Sequence, residues 1–303
     1  MAPGKPDRCE AERRQASVSA SAVAKGECVG RSLIIVRAGP DSLHPRWVED
    51  AAVRDWDLFV CPYAEVPFAS DPTRGVTVGE VRPGQKWTGL RALLEEWSGW
   101  RDYDHVVLAD DDLDAPASTW SAFLAACQAV EAKIAQPAVA TGTHFDQLIT
   151  LCNPAFSRRR VTFVEIMMPC FRRDVLADLL PTLLLSETGS GFGLDYLWPH
   201  LLGYRDLHIM DATPVRHTRP VGGARDAATH KALWDEARAI FARYGVRPAL
   251  RTLSGTDLEG RELDAGSEAF LHAYLRGYWP VLGRNQRRFG RLMREQLDIS
   301  LSR

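Results

Sequence analysis

The feature that most constrains the fold is an alternation. Short runs of β-branched and apolar residues recur between segments with helical spacing. Arg31-Ser-Leu-Ile-Ile-Val-Arg37, bounded by Gly39-Pro40, reads as a strand. Asp57-Leu-Phe-Val-Cys-Pro62 and Val76-Thr-Val-Gly-Glu-Val81 read as two more. Ser42 to Arg54, with Trp47, Val48 and Val53, is predicted to be a helix. Lys86 to Trp97 is a second, with Leu90, Leu93, Leu94 and Trp97 on one apolar face. Strands that alternate with helices build βαβ units around a parallel sheet.

The run His105-Val-Val-Leu-Ala-Asp-Asp-Asp-Leu-Asp114 is the centre of this pattern. Val106 to Ala109 form a buried strand that stops at three acids, Asp110, Asp111 and Asp112. A helix follows from about Thr119 to Lys133, with Trp120, Phe123, Leu124, Cys127 and Val130 on one face. Open α/β sheets bind ligands at the carboxyl ends of their strands. The period of two in a strand puts Asp110 and Asp112 on one face, where both could meet one cation. Hard ions such as Mg²⁺ or Mn²⁺ take oxygen ligands of this kind. The plainer alternative is a solvated acidic turn.

Ile134 to Gly142 returns in extended form, and a basic cluster, Arg158 to Arg160, precedes a predicted strand from Val161 to Pro169. Glu165 interrupts that strand. A lone buried acid is costly, so it should face a cavity or a cation, the arginine cluster being the ordinary partner. Asp174 to Leu185 reads as an apolar helix. Gly189, Gly191 and Gly193 then form a loop whose backbone can approach a ligand, and Asp195 opens a short helix. An acid there also suits the helix dipole without any further role. Lys86 at its helix start is poorly placed unless an anion lies close, and is otherwise a solvated lysine. Leu207 to Pro220 supplies a late strand ending in Arg216, His217 and Arg219. The two arginines could hold a diphosphate, and a lone late histidine is usually structural.

The chain of 303 residues is 46% hydrophobic and 25% charged, enough for one large domain or two smaller ones. Residues 1–30 lack apolar periodicity and a signal-peptide core, so they are expected to be a disordered leader. Residues 31–224 would form the main domain. Residues 225–303 would be a helical extension packed on it, with helices at Ala227 to Tyr244, Glu268 to Tyr278 and a basic one at Arg284 to Arg294. That basic helix leaves a peripheral membrane or partner contact open. A net charge of −2 advertises no nucleic-acid partner. Cys9, Cys28, Cys61, Cys127, Cys152 and Cys170 include no CxxC pair, as expected of reduced thiols in a cytoplasmic protein. No apolar run reaches the ~20 residues of a transmembrane segment.

Taken in order, several motifs carry a resemblance: Gln85-Lys-Trp-Thr-Gly-Leu90, Tyr103 to Leu113, Ala135-Gln-Pro137, Phe163-Val-Glu-Ile-Met-Met-Pro169, Gly191-Phe-Gly-Leu-Asp195, Asp211-Ala212 and Val215 to Gly223. Over roughly Ser32 to Ala224 this series resembles the DUF707 family, which is similar to nucleotide-sugar glycosyltransferases of the GT-A fold. The resemblance implies a GT-A-like, Rossmann-like mixed and mostly parallel sheet flanked by helices. It implies a DxD metal site at Asp110 and Asp112, a late metal ligand at His217, and a catalytic or acceptor-binding acid at Asp195.

Glycosyl transfer from a nucleoside-diphosphate sugar requires charge neutralisation on the leaving diphosphate. Mn²⁺ or Mg²⁺ would supply it, held by Asp110, Asp112 and His217. Lys86, Asp110, Asp111, Arg216 and Arg219 would contact the donor, a UDP-sugar for preference. An inverting enzyme also needs a carboxylate base for the acceptor hydroxyl, with Asp195 the first choice and Glu165 the second. Two alternatives stand beside this. A strand followed by Asp-x-Asp is also the nucleophile motif of haloacid-dehalogenase-type phosphohydrolases. A non-catalytic sugar-nucleotide or glycan-binding protein would bind without turnover.

Overall fold

The computed structural model describes residues 30–50, 54–220, 226–282 and 285–297. The expected leader, all but residue 30, lies outside them, as do residue 53 and residues 221–225. The first half alternates as expected: β1 (Ser32–Ala38), α1 (His44–Trp47), β2 (Trp56–Pro62), β3 (Val76–Val78), α2 (Lys86–Glu96), β4 (His105–Asp110), β5 (Leu113–Asp114), α3 (Ala117–Ala129) and β6 (Ile134–Val139). Then come β7 (Phe156–Val161), β8 (Cys170–Arg172), α4 (Arg173–Leu179), α5 (Leu194–Leu201) and β9 (Leu207–His217). The remainder is α6 (Ala227–Tyr244), β10 (Thr252–Asp257), β11 (Glu262–Asp264), α7 (Glu268–Leu282) and α8 (Gln286–Leu297).

The fold is α/β, a mixed sheet flanked by helices. Its strand order is β11-β10-β7-β9-β6-β8-β4-β1-β2-β3, with β5 paired to β9. Strands β4, β1, β2 and β3 are mutually parallel. Antiparallel β8 joins β4 to β6, and β6 runs parallel to β9. β4 is sealed on both faces, as a central parallel strand must be. Val107 and Ala109 pack into a layer with Trp47, Trp120 and Phe123. Val106 and Leu108 pack into the opposite layer with Trp87, Trp100 and Trp198. The carboxyl ends of β4, β6 and β9 then emerge side by side.

Four expectations are corrected. Among the described residues of the helix predicted over 42–54, only one turn, His44–Trp47, is helical, set by Pro45 at its start and by Trp47, whose Nε1 donates to Leu113 O at 2.7 Å. The strand predicted over 161–169 ends at Val161, and the arginine cluster lies within β7 itself. Beyond Val161 side chains take backbone groups a sheet neighbour would use: Gln136 Oε1 accepts Glu165 N–H at 2.6 Å, and Lys86 Nζ donates to the Ile166 and Met167 carbonyls. Pro181 turns the second half of the 174–185 helix into a 3₁₀ stretch. The extension beyond 225 is not helical throughout: β10 and β11 enlarge the same sheet across β7.

Cys61, Cys127, Cys152 and Cys170 are free thiols, and no described helix is long and apolar enough to cross a membrane.

Candidate active site

The three acids that end β4 go three ways. Asp110 meets Lys86, Nζ to Oδ1 at 2.8 Å. The same ammonium donates to the carbonyls of Ile166 and Met167, each at 2.7 Å. An ammonium has three N–H donors, so Lys86 is fully engaged. The sequence reading made it a diphosphate contact; here it ties Asp110 to the 166–167 loop.

Asp111 points the other way. Its Oδ2 accepts Gly39 N–H at 2.7 Å and Tyr63 O–H at 3.3 Å, while Oδ1 receives Arg219 Nη1 at 2.9 Å. Arg219 also donates to Asp41 O. Asp111 therefore pins the β1–α1 turn. Arg219 braces it from the far side while remaining 42% exposed.

Asp112 faces His217, Oδ2 to Nε2 at 3.2 Å, and its Oδ1 is buried without a partner. Pairing of β5 with β9 sets this contact, because Leu113 registers with His217. His217 Nδ1 lies 3.1 Å from His144 O. A carbonyl can only accept, so Nδ1 carries a proton, and a neutral ring turns a lone pair at Nε2 toward a carboxylate. Two acceptors face to face need a proton or a cation between them. Burial lowers the His217 pKa, but the Asp112 carboxylate outweighs it and the net shift is upward. Arg216, one residue earlier, is exposed and on the opposite face of β9, away from this group.

A cleft of about 210 Å³ opens here, lined by Asp110, Asp112, Glu165, Asp195, His217 and, among others, Asp146. It is smaller than the ~300–1,000 Å³ that encloses a drug-sized ligand, so it suits the reacting end of a substrate. Glu165 is 7% exposed and its Oε2 has no partner. Two of its expected partners are taken elsewhere: Arg159 makes a fully buried bidentate pair with Asp211, and Arg158 lies 3.9 Å from Glu262. Burial, with the nearby Asp146 carboxylate, pushes Glu165 up to about 7. Asp195 is 8% exposed and its Oδ1 is likewise unpartnered. It sits in the first turn of α5, entered through Gly193 at φ 93°. Burial and then Glu165 raise its pKa well above the usual carboxylate range, against the helix-start amides of Asp195 and Tyr196.

Sequence reasoning missed Asp146, Gln147, Ser190 and Phe192, which also line the cleft. The signal was the polar stretch after β6, Thr141 to Gln147, at the same edge of the sheet as the acids. A larger cavity, about 470 Å³, lies at the opposite strand ends around Asp104 and His105. Its arginines pair locally, Arg172 with Asp174 and Arg173 with Asp104, and it gathers no comparable group of unpaired acids.

The donor set suits a hard divalent ion in type: two strand-end carboxylates, one with a buried unpartnered oxygen, and a histidine with Nε2 turned inward. Among the described residues no three His, Cys, Asp or Glu side chains are yet gathered closely enough to hold one. Asp110 is drawn aside by Lys86.

No family model matches the chain, and neither does any curated protein. The DUF707 resemblance therefore rests on the motifs alone. Solved structures similar to it include S. aureus TarS residues 1–349 in complex with UDP-GlcNAc, at 13% identity, TM-score 0.44, with 70% of this chain and 66% of that one covered. Another is GalNAc-T7 with UDP, GalNAc and Mn²⁺, at 9% identity, TM-score 0.43, covering 71% and 50%. The matched part is just under two thirds of the TarS chain and half of the GalNAc-T7 chain. At likenesses this low no chemistry carries over.

Proposed function

We propose that this chain is a metal-dependent, GT-A-like glycosyltransferase of the DUF707 type, moving a sugar from a nucleoside-diphosphate sugar, UDP-linked for preference, to a hydroxyl acceptor with inversion. The observation that carries it is one cleft holding three buried carboxylate oxygens without partners: Asp112 Oδ1, Glu165 Oε2 and Asp195 Oδ1. Orphaned acceptors at a strand-end cleft mark places where a cation or a hydroxyl completes the site.

Asp112 and His217, with Asp110, would hold Mn²⁺ or Mg²⁺. The ion supplies positive charge for the departing diphosphate. Arg219 is the remaining cation of the sequence set at this edge; its accessible guanidinium is suited to a phosphate oxygen. Lys86 positions Asp110. Asp195 is the base for the acceptor hydroxyl, since a carboxylate with a raised pKa binds a proton more strongly once ionised. Glu165, which titrates near neutrality, is the second choice. Free thiols favour a reducing compartment, the cytoplasm.

A general base acts in the chemical step and contributes little to ground-state donor binding. Asp195→Asn is expected to lower kcat by ~10² or more while donor affinity changes little. Turnover at the wild-type rate would reduce Asp195 to a helix-start acid. Release of inorganic phosphate in a burst would instead favour the phosphohydrolase alternative.

A further inference from the structure

The basic helix α8 has two unlike sides. Leu292 is buried, and Gln296 exchanges two hydrogen bonds of 2.8 Å with the backbone of Thr252, so the inner side is fixed to β10. The outer side carries Arg287, Arg291 and Arg294, all exposed, at the i, i+4, i+7 spacing that forms one stripe. Arg288 lies over the Phe145 ring at 5.1 Å, next in sequence to cleft-lining Asp146. Against these four arginines the helix has one acid, Glu295, 3.4 Å from Arg291. Arg294 shares the field of Glu295 with Arg291, and among the described residues Arg276 and Arg287 form no ion pair.

Beside the stripe stands Trp279, 62% exposed at the end of α7, edge-on to Phe289 at 5.7 Å. Arg276 is one turn before it and exposed. An indole has an apolar body and a polar N–H, which suits a boundary between water and an apolar phase. Clustered arginines around an indole suit the boundary of an anionic bilayer, where the ring sits among headgroups and the guanidiniums meet lipid charge. The basic patch stands out because the whole chain is nearly neutral, at −2.

We propose that the α7–α8 face, through Arg276, Trp279, Arg287, Arg291 and Arg294, docks the protein on an anionic lipid surface. The inner side of α8 is already committed to the sheet, so the contact is peripheral. It adjoins the cleft through Arg288 and Phe145 and does not depend on what the cleft catalyses.

Co-sedimentation with phosphatidylcholine vesicles, with and without phosphatidylserine, tests it. Binding is expected only with phosphatidylserine, and is expected to fade as salt rises. Arg287→Ala and Arg294→Ala should each weaken it about fivefold. Trp279→Ala should weaken it with the salt dependence unchanged, while the exposed Arg243→Ala on α6 should have no effect. All four positions are at the surface, and circular dichroism checks that each variant is folded. Equal binding to neutral vesicles, no binding to either kind, or undiminished binding by both Arg287→Ala and Arg294→Ala would overturn the proposal. Binding to heparin as tight as to phosphatidylserine vesicles would replace the lipid by a general polyanion.

Discussion

Glu165 carries the clearest titration. Its carboxyl is raised from an ordinary value near 4.5 to about 7 by burial first. The folded state therefore holds a proton that the unfolded chain has already lost between those two pH values. Stability falls as pH rises through that window, by of order 3 kcal/mol. Glu165→Gln should flatten this part of the pH–stability curve, as read by thermal melts from pH 4.5 to 7.5. An unchanged slope would mean that solvent reaches Glu165 in solution. Lys86 belongs to the same scale. Lys86→Met strands the Ile166 carbonyl and Asp110, while Met167 O keeps the Asp110 N–H at 3.0 Å, at a cost of about 1–3 kcal/mol, toward the lower end because Asp110 is 36% exposed. Chemical denaturation would measure it. The sequence named Asp110, Asp112, Glu165, Asp195 and His217, and all five line one cleft. It could not see that Lys86 spends every donor on its neighbours, nor that Arg216 falls one residue out of phase with His217. Both depend on contacts across the fold rather than on spacing.

Among elements, those with long, clean periodicity were legible: α2, α6 and the apolar strands β1, β2 and β4. The loop after β7 was misread because distant side chains take its backbone bonds, and the two shortened helices because Pro45 and Pro181 set where they start and stop. β10, Thr-Leu-Ser-Gly-Thr-Asp, drew no assignment within the expected helical extension, because its polar residues give no apolar alternation. They are buried because Glu262 accepts from Ser254 and Thr256, and Gln296 holds Thr252. The element on which the chemistry depends is α5. Gly193 enters it at φ 93°, and a Cβ there would stand 3.0 Å from the Ala237 backbone. Gly193→Ala should therefore cost about 1–2 kcal/mol from the backbone alone, and should lower kcat by displacing Asp195. Melting temperature and turnover would be read together. A stable variant with full activity would show that α5 does not depend on this glycine.

For the whole molecule, the sheet runs without a break from β3 to β11. Residues beyond 225 contribute Phe270, Tyr274 and Tyr278 to the same core layer as β4. A chain ended at residue 224 is expected to lose its cooperative thermal transition, since β7 would become an exposed edge and that layer would open. The proposed site brings a cation and a diphosphate together at one strand end. Titration calorimetry of UDP into the protein, with and without Mn²⁺, tests it most directly, on wild type and on Asp112→Asn and His217→Ala. Wild-type protein is expected to bind UDP much more tightly with Mn²⁺, and both variants should lose that gain while keeping their fold. Equal UDP affinity with and without Mn²⁺, or a gain that survives in both variants, would contradict the account.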